Sequence, residues 1–250
     1  MTLLLKLVLA PLLVVGSSLA GRRWGPGLTG LLVALPLVAG PILLITYLEQ
    51  GPAFVARAAS ASLLGLVSLA AFAVVFARVS RARGWAGTVL QGWLVCLSLD
   101  LALSFAPVPA WVALGLALAA AWAGTRFLPV PGEVRPVTPP WWDLPARALV
   151  TAGLVLAVTT AAGRLGPDLT GVLAPFPTAL SVVAVFALAQ GGPPAAAATM
   201  RGLLRGLGGF AAFCFLVAVL AEPLGGWAFV LAAGGAVAGP LVYRRHAPRG

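Results

Sequence analysis

Apolar residues fill this chain in long runs, and the polar positions fall between them. Nine runs stand out, at about 3–20, 27–48, 53–77, 84–105, 109–126, 147–163, 168–190, 195–220 and 224–243. Each approaches the ~20 residues that an α-helix needs to cross a bilayer. The breaks between them carry turn and helix-start signals: Gly25-Pro26, Gly51-Pro52, Pro107-Val108-Pro109, Gly166-Pro167, Gly191-Gly192-Pro193-Pro194 and Glu222-Pro223. Only the stretch from Pro129 to Pro145 is long and polar. It holds six prolines and the pair Trp141-Trp142, which suits a linker lying at a membrane interface. The pattern predicts an all-α, polytopic membrane protein of about nine transmembrane helices.

The runs repeat. Arg23-x-Gly25-Pro26-x-Leu28-Thr29-Gly30 returns 141 residues later as Arg164-x-Gly166-Pro167-x-Leu169-Thr170-Gly171. The same shift sets Pro36 on Pro177, Gly51-Pro52 on Gly192-Pro193, and Ala70-Ala71-Phe72 on Ala211-Ala212-Phe213. Between positions 23 and 72, 17 of 50 residues match without a gap, far more than chance gives even in so apolar a chain. Residues 1–20 have the look of a signal peptide, with Lys6, an apolar stretch and Ser18-Leu19-Ala20. Their repeat counterpart is the internal run 147–163, which predicts that they are a retained first helix.

Charge orients the runs. Fifteen of the 16 basic residues are arginine, scattered through the short connections. With the N-terminus outside, the inner loops and helix ends hold Arg22, Arg23, Arg78, Arg81, Arg83, Arg126, Arg135, Arg147, Arg201, Arg205, Arg244, Arg245 and Arg249. The outer side keeps Lys6, Arg57 and Arg164. The positive-inside rule therefore predicts an outside N-terminus and an inside C-terminus in a bacterial inner membrane. Each repeat has four runs, and the run at 109–126 has no counterpart. One unmatched helix between two even-numbered units inverts the second, giving a 4+1+4 inverted repeat: residues 1–105, a linking helix and loop over 106–146, and 147–250 with a basic tail. Secondary transporters use such symmetry, with the binding site where the copies meet.

Composition narrows the function. The chain is 61% hydrophobic and 9% charged, with a net charge of +10. The arginines form no patch with interleaved aromatics, so nucleic acid is not an expected partner. Cys96 and Cys214 lie inside apolar runs and offer neither metal spacing nor a disulfide framework. The single histidine, His246, sits in the tail, and no hydrolase, zincin or phosphate-loop motif occurs. No enzyme, metal or cofactor is expected.

The candidate site rests on interrupted helices. Pro36, in Ala34-Leu35-Pro36-Leu37, and Pro175 and Pro177, in Ala174-Pro175-Phe176-Pro177-Thr178, fall inside the second run of each copy. Proline removes a backbone N–H and clashes with the preceding turn. Within a bilayer such breaks persist where neighbouring helices or a cavity satisfy the freed groups. Both breaks lie roughly 15 Å from the run starts at 1.5 Å per residue. Thr29, Thr170 and Thr178 lie nearby in sequence. Arg57, Arg201 and Arg205 add guanidinium groups that suit a phosphate or carboxylate. Asp100, inside the fourth run, is the candidate coupling residue, because an intramembrane carboxylate is costly unless it is used. Gln91 and Gln190 are further polar candidates, and Glu49 reads as a solvated loop acid.

The run Gly171-Val172-Leu173-Ala174-Pro175-Phe176-Pro177-Thr178-Ala179-Leu180, with Arg164 before it and Arg201 after it, resembles the G-L-x-P-x-F-P-T-x-A-L signature of the GlpM-like small bacterial inner-membrane proteins. The likeness covers about 160–220 well and 20–77 more weakly, where Leu35-Pro36-Leu37 replaces F-P-T. It implies a duplicated and fused pair of short units. That family is associated with exopolysaccharide and glycogen phenotypes and has no firmly assigned activity. The sequence thus predicts a small transporter or flippase-like protein with an anionic or phosphate-bearing, small-molecule or lipid-linked substrate. The alternative is an accessory subunit of an envelope-polysaccharide system, which would bind partners or another copy of itself through glycine-rich helix faces. A transporter should have a polar cavity between the repeats, and a scaffold a dry, tightly packed interface.

Overall fold

The computed structural model describes residues 2–105, 108–130, 132–134, 138–165 and 177–246. Pro175, Thr170, Arg135 and Arg249 lie outside the described residues. The described residues form helices and no strand. In chain order these are α1 (Thr2–Trp24), α2 (Pro26–Val33), α3 (Ala39–Gln50), α4 (Pro52–Val79), α5 (Trp85–Ser104), α6 (Ala110–Phe127), α7 (Asp143–Leu165), α8 (Thr178–Leu224) and α9 (Trp227–His246). Five are long and apolar enough to cross a membrane: α4, α5, α6, α8 and the Asp143–Thr160 portion of α7. The chain has the make-up of a polytopic helical membrane protein.

Glycine and proline set the joints. Proline opens α2 and α4 at a position where its missing N–H has no helical partner to lose. Gly51 and Gly192, which the 141-residue shift superposes, adopt the same left-handed backbone, at φ 83, ψ 175 and φ 69, ψ −170. That region strains any residue with a Cβ. Gly51 separates α3 from α4, and Gly192 bends α8 into arms over 178–191 and 193–224. The run 27–48 is interrupted as its proline predicts: residues 34–38 leave the helix between α2 and α3. Local turns take up the freed groups, with Ala34 N–H donating to the Gly30 carbonyl at 3.1 Å and Gly40 N–H to the Pro36 carbonyl at 2.8 Å.

The core lies between α4 and the second arm of α8. Leu63, Phe72 and Phe76 from α4 and Met200, Leu203, Leu207 and Val217 from α8 are fully buried. Around this pair α8 also meets α2, α6 and α9, α4 meets α5 and α6, and α1 rests on α2 and α7. The α2–α8 contact is very close. A methyl group on Gly30 would fall on the Thr199 carbonyl, and one on Gly202 on the Gly27 carbonyl, so backbone meets backbone. Small residues permit this approach, which suits helices that associate in lipid by packing alone.

Contacts between distant segments separate two ends. One is basic: Arg78 Nε donates to the Phe127 carbonyl at 3.0 Å and Arg81 Nη2 to the Val130 carbonyl at 3.5 Å, while Arg22 pairs with Asp143. At the other, the Tyr47 and Phe229 rings stand 5.8 Å apart. Exposed tryptophans flank both, with Trp24, Trp85 and Trp141 beside the basic end and Trp111 and Trp227 starting helices near the other. Such belts place amphipathic rings at the two membrane interfaces.

Candidate functional site

The end of α1, the start of α7 and the Gly192 elbow of α8 converge on one carboxylate. Asp143 opens α7, where a negative charge is favoured by the helix dipole. One turn on, Arg147 lies on the same face and donates from Nε to Asp143 Oδ1 at 2.9 Å. Arg22, in the last turn of α1, donates from Nη2 to Asp143 Oδ2 at 2.9 Å. Gln190, two residues before the elbow, donates from Nε2 to Asp143 Oδ1 at 2.5 Å and accepts from Arg147 Nη2 at 3.2 Å. Arg147 Nη1 reaches Ser18 Oγ of α1 at 3.3 Å, and its guanidinium lies 4.7 Å from the centre of the Phe186 ring. The side chains of Asp143 and Arg147 are 1% and 9% exposed, while Arg22 keeps 35%. Two cations and one anion thus form a buried network with a net charge of +1. Only Arg22 presents an open guanidinium face.

That network walls a cavity of about 360 Å³, within the range of small-molecule sites. Ser18, Arg22 and Thr29 line it from α1 and α2, and Asp143, Arg147, Gln190 and Thr199 from α7 and α8. Val134 and Pro139 of the linker lie over it at the basic end. Its apolar wall includes Val183, Ala187 and Ala195. Beside it the Gly30–Thr199 and Gly202–Gly27 backbone contacts hold α2 against α8. Most of the cavity's wall is apolar, and its polar groups gather around Arg22, Asp143 and Arg147. It can hold a small anion against Arg22 with hydroxyl groups beside it.

Of the residues singled out in the sequence, Thr29 and Gln190 line this cavity. The others lie elsewhere. Pro36 sits in the α2–α3 break, and Pro177, buried, caps α8 immediately before a half-buried Thr178. Arg57 is exposed near the start of α4, its guanidinium 6.0 Å from the Phe54 ring. Asp100 is buried in α5, where Cys96 Sγ lies 3.6 Å from its Oδ2 and Ser68 of α4 stands beside it. Arg201 and Arg205 lie on the second arm of α8, Arg201 Nη2 donating to the Pro129 carbonyl at 3.3 Å. Arg57 and Arg201 contact different elements, the Phe54 ring and the Pro129 carbonyl, and none of these residues is among those that line the cavity.

In the sequence Arg22 and Arg147 bear on orientation alone, and Asp143 falls in the linker stretch. A signal was present. Asp143 and Arg147 are spaced i, i+4, directly after Trp141-Trp142, in a chain with six acids. An acid placed at the interface one turn before an arginine is a pairing pattern as well as a loop composition.

No family model, no curated protein and no solved structure matches the chain.

Proposed function

We propose that the protein is a small inner-membrane transporter or flippase-like protein, built as a 4+1+4 inverted repeat of nine spans from two fused GlpM-like units, that moves an anionic substrate through the cavity between its halves. The cavity carries this reading. Its charged cluster is net positive, and it is formed jointly by α1 and α2 of one copy and α7 and α8 of the other, as transporter sites at repeat interfaces are. The matched elbows at Gly51 and Gly192 support the duplication. The alternation of helix ends between the basic end and its opposite supports the inversion, with the basic end inside.

In this reading Arg22 binds the substrate anion, and Asp143 competes for the same guanidinium. Proteoliposomes given radiolabelled inorganic phosphate, or a fluorescent anionic phospholipid in a separate assay, test it. At least one probe should cross faster than in protein-free vesicles. Arg22→Gln should lower that rate by roughly tenfold or more, the effect of losing one charge-assisted hydrogen bond, while Arg57→Gln leaves it unchanged. Equal rates for wild type and Arg22→Gln would remove the site assignment.

Asp100 fits a coupling role, because its buried carboxyl has a thiol and a hydroxyl as neighbours and no ion-paired cation among the described residues. Asp100→Asn preserves shape and acceptor. It should abolish uptake driven by a proton gradient and leave substrate exchange without a gradient intact. Loss of both together would make Asp100 a structural residue instead.

A further inference from the structure

Away from the cavity, the linker segment just past α6 is ringed by guanidinium groups. Arg78 donates to the Phe127 carbonyl, Arg201 to that of Pro129 and Arg81 to that of Val130. Backbone carbonyls absorb donors but bring no negative charge. Both ion pairs among the described residues belong to Asp143, so none of these arginines is ion-paired there. Arg205, one turn beyond Arg201 on α8, is exposed and close enough for the two cations to repel each other. Arg201 also keeps a buried Nε that has no hydrogen-bond partner. A buried N–H left unpaired on a cation is costly, and a second cation beside it adds to the cost.

Height in the bilayer narrows what resolves this. Arg201 is held level with Pro129, two residues past the end of the α6 span. Arg205 lies about 6 Å deeper at 1.5 Å per residue, on an exposed face. An exposed arginine at that depth sends its guanidinium back toward the headgroups. We infer that Arg201 and Arg205 hold the phosphate of an anionic phospholipid in the leaflet at the basic end, with Arg81 adding charge at the rim. Guanidinium pairs match phosphate oxygens with short, charge-assisted bonds, and basic recesses between membrane helices on the inner side take anionic headgroups. Arg205 faces the bilayer and not the cavity, so the phosphate reaches it on a lipid.

The full-length protein in neutral detergent, titrated with phosphatidylglycerol, phosphatidylcholine or inorganic phosphate and followed by thermal unfolding, tests the inference. Phosphatidylglycerol should raise the unfolding midpoint of the wild type and of Arg22→Gln alike, whereas inorganic phosphate should not raise that of Arg22→Gln, whose cavity has lost its anion-binding guanidinium. Arg205→Gln, an exposed change that leaves the core untouched, should weaken lipid affinity about fivefold, and Arg201→Gln with Arg205→Gln by more than tenfold, at roughly a fivefold effect per interfacial arginine. Arg57→Gln, which removes an exposed guanidinium near the opposite end, should respond as the wild type does, which separates this site from a general loss of charge. A full lipid response in the double variant, or an equal response of Arg22→Gln to inorganic phosphate, overturns the inference.

Discussion

Asp143→Ala should lower the apparent unfolding midpoint by roughly 10 °C, the largest loss expected from any single polar change in this chain. Removing one partner of a buried ion pair costs about 3–5 kcal/mol, because the other charge is left behind without compensation. Here two are left. Arg147 is 9% exposed and donates to Asp143, Ser18 and Gln190, and Arg22 would face it across the vacated carboxylate. In a chain of this size each kcal/mol moves the midpoint by about 2–4 °C. The cause can be isolated. If stranded charge explains the loss, Arg147→Met in the same protein should recover most of it, since an apolar side chain of similar length fills the space without needing a counter-charge. A double-mutant cycle by tryptophan fluorescence in detergent reads the coupling directly. Additive losses would mean that the network contributes packing alone.

The same carboxylate marks where the sequence stopped being informative. Helix existence was legible, because nine apolar runs and their Gly-Pro joints follow from what a bilayer demands of a backbone. The interruption at Pro36 and the elbow at Gly192 were legible for the same local reason, since proline and left-handed glycine act through their own residue. The contacts between Arg22 and Asp143, 121 residues apart, and between Arg147 and Gln190 were not. They depend on which helix ends share a corner of the bundle, and charge counting fixes only which side each end is on. Thus Arg201, Arg205 and Arg57 looked like companions of the prolines because all are unusual in apolar runs. The bundle sends them to separate surfaces: Arg57 stands near the Tyr47 end, and Arg201 is tied to Pro129. Thr29 was singled out for its place in the repeat and does face the cavity, as does its neighbour across the interface, Thr199, which no motif marked.

Gly202→Ala should be the most damaging apolar change, although it adds one methyl group. The added carbon would collide with the Gly27 carbonyl, and the neighbouring contact, Gly30 on the Thr199 carbonyl, is equally backbone-to-backbone. Neither neighbour is a flexible side chain that can swing aside, so α2 must move away from α8 as a unit. Overpacking of this kind costs about 1–3 kcal/mol, and within lipid no hydrophobic term restores it, since helices there associate by packing. Gly208→Ala, on the same helix, meets nothing within 4 Å and serves as the matched control. It should unfold with the wild type, while Gly202→Ala unfolds several degrees lower. The consequence for transport is separate and more telling. The glycine contacts run beside the cavity, so prying α2 from α8 should open a leak. Vesicles carrying Gly202→Ala should pass inorganic phosphate without the saturation that a binding site imposes. If they leak no more than the wild type while the midpoint falls as expected, the seam is a packing surface only and the barrier to phosphate lies elsewhere.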